Sequence, residues 1–470
     1  MYRTLKIEIK KSHFLYDYCD SLTKLTNNME NVTLFYIRQV MTYFTSTNLS
    51  DNQIEVMNTV KRYLKGTEYP LPTKENWLLS YKELDNIFYR SRNIDYFAKG
   101  LPKLSCKHAI KRVCNNMENF LRSIKDYNLH PYKYQEKPKL PHYHKAKGNT
   151  TCMINRIDCS ISKRQDNYYA QFPNTDKSLS LGKKVNGKLC FCEVKPTNGI
   201  FNIIFTFEVQ AMTKSLKPAQ RICAIDIGVN NFVAMTNNIN KPHMLFKGNV
   251  IKAHNQWYNK QMAKIQSQQT INTTHKFIPT EESRRITIKR QNQMNDFMHK
   301  VAKQVVTWCT TNDIDTLVVG KNNEWKKAID IGKINNQKFV QIPFDYFIQI
   351  VTYLCKEHGV RLVLQEESYT SKASFIDQDK MPTKIYYTPT FSGKRIHRGL
   401  YETKEGIQIN ADINGSLNIG RKAYPKLFNK DVIKNYNDFI VVKHPDYLNR
   451  KENREKQRLR NLAKNNQAGL

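Results

Sequence analysis

Three stretches of the chain place acids where acids are costly. In "RICAIDIGVNNFVAM" (221–235) the apolar residues Ile222, Cys223, Ala224, Ile225 and Ile227 are interrupted by Asp226. Such a run reads as a strand covered on both faces, where a carboxylate must be paired, hydrogen-bonded or bound to metal. In "VRLVLQEESYTSK" an alternating strand ends on Glu366 and Glu367, which by alternation point to opposite faces, so one of the two can serve a given site. In "QINADINGSLNIGRK" (408–422) Asp412 stands at the start of a helix carrying Leu417 and Ile419. A plain cap is the competing reading of Asp412, because a helix dipole favours an acid there. Together, the acids fit a site where carboxylates from two strands and a helix hold two hard cations. Oxygen ligands suit Mg²⁺ or Mn²⁺, and two such ions activate water and steady the leaving 3′ oxygen of a phosphodiester. The small residues at 414–416 would let the helix approach a bulky polynucleotide.

The elements that must position these acids follow from periodicity. After about 218 strands and helices alternate: the Asp226 strand turning at Gly228 and Asn230-Asn231 into a hairpin with "FVAM", a long polar helix near 281–311, "DTLVVG", a helix at 344–358 and the glutamate strand. That is an α/β domain. Upstream, "TLKIEIK" (4–10) alternates like a half-buried strand, and 12–127 has apolar residues at three- and four-residue spacing, predicting a helical bundle inserted after one strand. Residues 151–210 read as short strands of an antiparallel sheet or small barrel that the N-terminal strand completes. Between them, "HPYKYQEKPKLPHYHKAKGN" (130–149) is a basic, proline-punctuated loop with tyrosines between its lysines, suited either to nucleic acid or to a solvated linker.

With 75 Lys+Arg against 41 Asp+Glu, the 470-residue chain carries a formal charge of +34, which points to a polyanionic partner, nucleic acid foremost. No apolar run approaches the ~20 residues of a membrane span, and "MYRTLKIEIKKS" lacks a signal-peptide core. The expectation is a soluble intracellular protein with no membrane partner. Ten scattered cysteines with no CxxC show neither a zinc ribbon nor a disulfide framework, so reduced and mostly buried thiols are expected.

"DIGVNN" (226–231), "VVGKNNEWKK" (318–327), "EESYTSKASF" (366–375), "SGKRIHRGLY" (392–401) and "NADINGSLNIGRK" (410–422) resemble the RuvC-like nuclease domain of the TnpB proteins and their eukaryotic and viral relatives, the Fanzors. "LPKLSCKHAIKRVCNNMENFLRSIKDY" (101–127) and "KPKLPHYHK" (137–145) are similar to that family's last recognition helix and its return to the wedge domain. The resemblance implies an RNA-guided DNA endonuclease, encoded by or derived from a transposon. Such a protein takes a guide RNA encoded near its own gene, checks a short target-adjacent motif, and cuts double-stranded DNA with two Mg²⁺ ions. It also implies a wedge domain opened at 1–11, a helical recognition domain at 12–127, the rest of the wedge at 128–217, the RuvC-like (RNase H-like) domain at 218–422, and a basic tail at 423–470. Location would follow the source: nucleoid or cytoplasm if bacterial, nucleus if eukaryotic or viral.

Asp226 and Asp412 fall on the family's first and third catalytic positions. The second is a glutamate closing a "VV-Glu" strand in the commonest form, but here Gly320 stands at that place. A subgroup that includes Fanzors moves the acid to the later strand, which assigns the role to Glu367, with Glu366 in reserve and Glu324 a weaker alternative. Residues 368–411 contain none of the four zinc-binding cysteines of many relatives, so no zinc is expected, and about 368–408 becomes a ribbon remnant. Lys372, Lys394, Arg395 and Arg398 from that remnant, and Lys137, Lys139, Tyr143 and Lys145 from the loop, are the nucleic-acid contacts expected. Two other readings remain open: a nuclease-inactive RNA-guided regulator, suggested by Gly320, and an unguided transposase or resolvase.

Overall fold

A computed structural model describes residues 2–183, 185, 187–210, 218–270, 277–321, 341–382, 389–397, 399–436 and 440–445. The chain divides into two compact units, 1–210 and 211–470.

In the first unit β1 (Tyr2–Ile9) is followed by four helices, α1 (Tyr16–Tyr43), α2 (Asp51–Leu64), α3 (Tyr81–Arg90) and α4 (Lys103–Leu129). Serine capping boxes start two of them: Ser50 with Gln53 at α2 and Ser80 with Glu83 at α3. Strands β2 (Cys152–Asn155), β3 (Ser160–Arg164), β4 (Asn167–Gln171), β5 (Ser178–Gly182), β6 (Lys188–Thr197) and β7 (Ile200–Glu208) follow. They make two antiparallel sheets, ordered β1-β7-β6-β2 and β3-β4-β5. The first strand does complete the sheet: it pairs antiparallel with β7 from Tyr2↔Glu208 to Ile9↔Phe201. Helices and sheets share one core, with Leu22, Met29 and Ile37 of α1, Ile110 and Met117 of α4, and Val194, Ile203 and Phe205 of the sheet all buried.

The second unit is built on a six-stranded sheet. Its strands are β8 (Ile222–Ile227), β9 (Asn231–Asn237), β10 (Met244–Lys247), β11 (Thr316–Gly320), β12 (Arg361–Gln365) and, later, β16 (Val441–Lys443), in the order β12-β11-β8-β9-β10-β16. The first three form an antiparallel meander, whereas β11 and β12 run parallel to β8. Three meander strands continued by two parallel ones make this an α/β fold of the RuvC-like, RNase H-like kind.

Helices α5 (Asn249–Thr270), α6 (Glu281–Thr311), α7 (Phe344–His358) and α8 (Ala411–Ala423) complete the unit. The central strand β8 is apolar except at Asp226 because it is covered twice. Cys223, Ile225 and Ile227 pack with Val301 and Val305 of α6 and Phe347 and Val351 of α7, while Ile222 and Ala224 pack with Ile413, Leu417 and Ile419 of α8. Each fully buried Val, Leu or Ile is worth roughly 1.5–3 kcal/mol, so the two covers fix the strand's facing firmly. Between α7 and α8 lies a small antiparallel sheet of β13 (Lys394–His397), β14 (Leu400–Glu402) and β15 (Gln408–Asn410). All ten cysteines are free, nine of them buried and Cys190 partly exposed.

Candidate functional site

Alternation along β8 decides where Asp226 points. Ile222 and Ala224 face α8, so Asp226, two residues on, faces the same side and lies close against Gly415 of that helix. The parallel neighbour adds to this. Ile225 is in register with Val319 of β11, and Gly320 with Gln365 of β12, so the carboxyl ends of three strands lie side by side and Glu367 follows within two residues. Carboxyl ends of parallel strands are where α/β sheets place their ligands.

The charge state of Asp226 is set by its burial and by both other acids. Its carboxyl is pushed up to about 8, first by desolvation and then by the negative charges of Glu367 and Asp412, with Arg395 pulling the other way. A charge cluster of this kind is typical of functional sites. Asp412 is held at both oxygens: Arg395 Nη2 donates to Oδ1 at 3.2 Å and Asn231 Nδ2 to Oδ2 at 2.6 Å. Asn231 in turn accepts from Lys247 Nζ at 2.8 Å. Asp412 is not the helix cap that its position allowed. Asn410 caps α8, its side chain accepting from the backbone N–H groups of Asp412 and Ile413, which leaves the aspartate side chain for other work.

The expected strand stops at Gln365, so both glutamates lie just beyond β12, and they diverge all the same. Glu366 is tied away from the cluster: Lys422 Nζ donates to its Oε2 and the Ser368 N–H to its Oε1. Burial works against its charge, but the bonds from Lys422 and Ser368 outweigh it and hold the carboxyl below the usual range. Glu367 instead bears on Asp226 and stands over Gly320. A Cβ at 320 would lie 3.0 Å from Glu367 Oε2 and 2.5 Å from Ile419 Cδ1. The carboxylate just beyond β12 therefore fills the room that a side chain on β11 would need, which gives Gly320 a steric reason. Glu324, the weaker alternative, lies outside the described residues.

The small residues of α8 serve a different end from the one expected. They bring the helix onto the sheet, not toward a polynucleotide. A Cβ at Gly415 would sit 2.7 Å from Asp226 Oδ2, and fully buried Ser416 donates to the Ala224 carbonyl at 3.0 Å. Asn414 accepts from the Phe375 N–H and donates to the Ala373 carbonyl, and Asn418 donates to the carbonyls of Thr370 and Ala373. These two buried amides lock the segment after Glu367 against α8. Polarity at 414 and 418 was the available signal for this, because a helix interior does not keep asparagine without a partner.

Three oxygen-only acids suit a hard divalent cation in donor chemistry, and their mutual repulsion at Asp226 gives a cation something to neutralise. As they stand, no three His, Cys, Asp or Glu side chains among the described residues are gathered into a ready metal site. The guanidinium of Arg395 and the amide of Asn231 occupy Asp412 instead.

The expected nucleic-acid contacts fall into separate groups. Lys372 is exposed, Lys394 pairs with Glu402 at 3.6 Å, and Arg395 pairs with Asp412, while Arg398 and the tail beyond 445 lie outside the described residues. In the first unit the loop is neither regular nor a loose linker over 141–150. Asn31 exchanges two hydrogen bonds with the backbone of His144, Arg38 donates to the Pro141 carbonyl and stacks 4.6 Å over the Tyr143 ring, and Asn27 donates to the Lys145 carbonyl. The nearly buried Glu30 anchors this seam, pairing with Arg112 of α4 and with His144. Lys137 and Lys145 keep exposed side chains, and Lys139, also exposed, pairs with Glu136 at 2.7 Å.

Residues 204–326 match the family model described as OrfB_IS605, probable transposase, and residues 344–419 match the Cas12f1-like TNB domain. The TnpB-like kinship read from the motifs is carried by these two segments. A comparison with curated protein sequences gives no match. Among solved structures the chain is similar to that of a Cas12f1–sgRNA–target DNA complex, at 11% identity over 89% of this chain and 98% of that one, with a TM-score of 0.47. It is also similar to the mini-RNA-guided endonuclease CRISPR-Cas_phi3, at 9% identity over 90% and 92% of the two chains, TM-score 0.47.

Proposed function

We propose that this TnpB-like chain is an RNA-guided DNA endonuclease that cuts a phosphodiester with divalent metal at Asp226, Glu367 and Asp412. The observation that supports the reading is the placement of the three acids at the carboxyl ends of β8 and β12 and the start of α8, with Asp226 close against Gly415, Glu367 over Gly320, and Glu367 and Asp412 both acting on the charge of Asp226. When bound, Mg²⁺ or Mn²⁺ supplies activation of the attacking water and stabilisation of the leaving 3′ oxygen. The chain's own part is positioning. Asn231, held by Lys247, orients Asp412, and Gly415 lets the helix come within reach of Asp226. Asn414 and Asn418 fix the backbone that follows Glu367.

The charge of +34 supports polyanionic partners, here a guide RNA from beside the gene and a DNA duplex. We assign RNA recognition to 12–127 and to the wedge at 1–11 and 128–217, and DNA cutting to 218–422. Among the described residues no helix is long and apolar enough to cross a membrane. The nuclease-inactive reading drew on Gly320, but the position of Glu367 over that glycine accounts for it without loss of an acid.

The test is cleavage of a duplex matching the co-purified RNA. Mg²⁺-dependent cutting, lost in Asp226→Ala and Glu367→Gln and kept in Glu366→Gln, is the expected result. Cutting that survives Asp226→Ala refutes the site. Activity without RNA refutes the guide and favours the transposase or resolvase.

A further inference from the structure

Arg395 holds one of the cluster's acids. It is 3.2 Å from Asp412 Oδ1, on a side chain 40% exposed. An isolated surface ion pair of this exposure would mean little. What distinguishes this one is how the fold supplies it. Arg395 lies on β13 in register with Tyr401 of β14, which is in register with Ile409 of β15, one residue before the cap of α8. Tyr401 is fully buried and donates to the Lys372 carbonyl at 2.8 Å, so the small sheet is anchored at its centre. The Ala411 N–H donates to the Gly399 carbonyl, fastening the β13–β14 turn to the start of the same helix. A register shift between Arg395 and His397 interrupts the β13–β14 ladder right beside the arginine. The guanidinium is thus delivered to Asp412 by a ribbon that leads directly into Asp412's own helix.

We propose that Arg395 is a built-in occupant of the acid cluster. Its guanidinium holds Asp412 in the cation-free protein and leaves that oxygen before the carboxylate takes a divalent cation. The proposal rests on the metal-dependent reading above. Arg395 is a positioning residue: it balances charge while the site is idle, and Asn231 keeps the other oxygen of Asp412 oriented when the guanidinium departs. Because departure is part of cation binding, the pair sets the cation concentration at which the site fills. Removing the positive competitor tightens cation binding, the opposite of what loss of a merely structural contact would do.

The experiment titrates full-length protein with its co-purified RNA against Mn²⁺, reading free Mn²⁺ by electron paramagnetic resonance. Asp412→Asn identifies the sites that depend on this carboxylate, and melting curves confirm folding. Arg395→Gln is expected to tighten those sites by about fivefold, the worth of a partly exposed ion pair, and to lower the Mn²⁺ needed for half-maximal cleavage by a similar factor. Arg395→Lys, which keeps the charge but loses the fork, tightens them less and serves if the glutamine variant melts early. Asp412-dependent binding that is unchanged or weaker in both variants overturns the role of Arg395 and leaves the nuclease reading intact. Absence of any Asp412-dependent binding in the wild-type protein overturns both.

Discussion

Replacing Asp226 by Asn should make the cation-free protein more stable at neutral pH and indifferent to the pH that weakens the wild type. In the unfolded chain this carboxyl titrates near 3.8, whereas in the folded chain desolvation, Glu367 and Asp412 hold it up to about 8. The folded protein therefore keeps a proton that the unfolded chain has lost, and the acid's contribution is whole below about pH 4 and declines until about pH 8. Each pH unit in that window costs up to about 1.4 kcal/mol, so between about pH 5 and pH 7.5 the full effect is roughly 3 kcal/mol. Asp226 keeps partial access to solvent, which screens the repulsion and reduces this to about 1.5 kcal/mol. At roughly 2–4 °C per kcal/mol for a unit of this size, the Asn variant should melt about 3–6 °C above wild type at the higher pH, relative to the gap at the lower one. Scanning calorimetry in chelator at both pH values reads this directly, and Mg²⁺ should then raise the wild-type Tm but not the variant's. A gap that stays constant or narrows as pH rises refutes the reasoning.

Glu367→Gln should reduce Mg²⁺-dependent cutting by at least about 100-fold, while Glu366→Gln retains cutting. The second variant should nonetheless lose about 1–3 kcal/mol in denaturant melts, because Lys422, only 6% exposed, is left without its carboxylate. Gly415→Ala pushes a methyl group to 2.7 Å from Asp226 Oδ2 and should cost roughly 1–3 kcal/mol together with most of the activity. If Gly415→Ala cuts like wild type, the close approach of α8 is not what positions the acid. In the first unit, Glu30→Gln should cost about 1–3 kcal/mol by weakening the seam to Arg112 and His144, and protease cleavage near 141–150 should quicken in step.

The strands and helices that carry the acids were legible because their periodicities are long and clean. The helix expected near 281–311 is Glu281–Thr311, that at 344–358 is Phe344–His358, and the apolar run around Asp226 is covered on both faces. Alternation foretold that Glu366 and Glu367 diverge, but it could not say which way either faced. That depended on α8 placing Lys422 beside one and Asp226 lying beside the other, contacts 56 and 141 residues apart in sequence. Arg395 was legible as a cleft residue and illegible as a partner of Asp412, since the pairing of β13 with β14 and β15 that carries it to α8 has no signature in "KRIH". The small residues of α8 were noticed for the right property and given the wrong neighbour: spacing reveals that something comes close, not what. The docked loop at 141–150 was hidden because it is held by side chains of α1, with no periodicity of its own.

The pairing of β1 with β7 also sets a schedule for biosynthesis. Tyr2 has to wait for Glu208, about 200 residues later, and at roughly 5–20 residues per second that is some 10–40 s of translation. Helices α1 to α4 all lie within the first 129 residues and can begin to pack on one another during that interval, while the N-terminal strand remains an unpaired edge on the nascent chain. Lys6 and Glu8, both within this strand, are the kind of charged residue that discourages such an edge from joining another chain. Within the first unit the first strand made is thus the last to find its place, and the charges on its exposed side in the finished sheet also protect it on the ribosome.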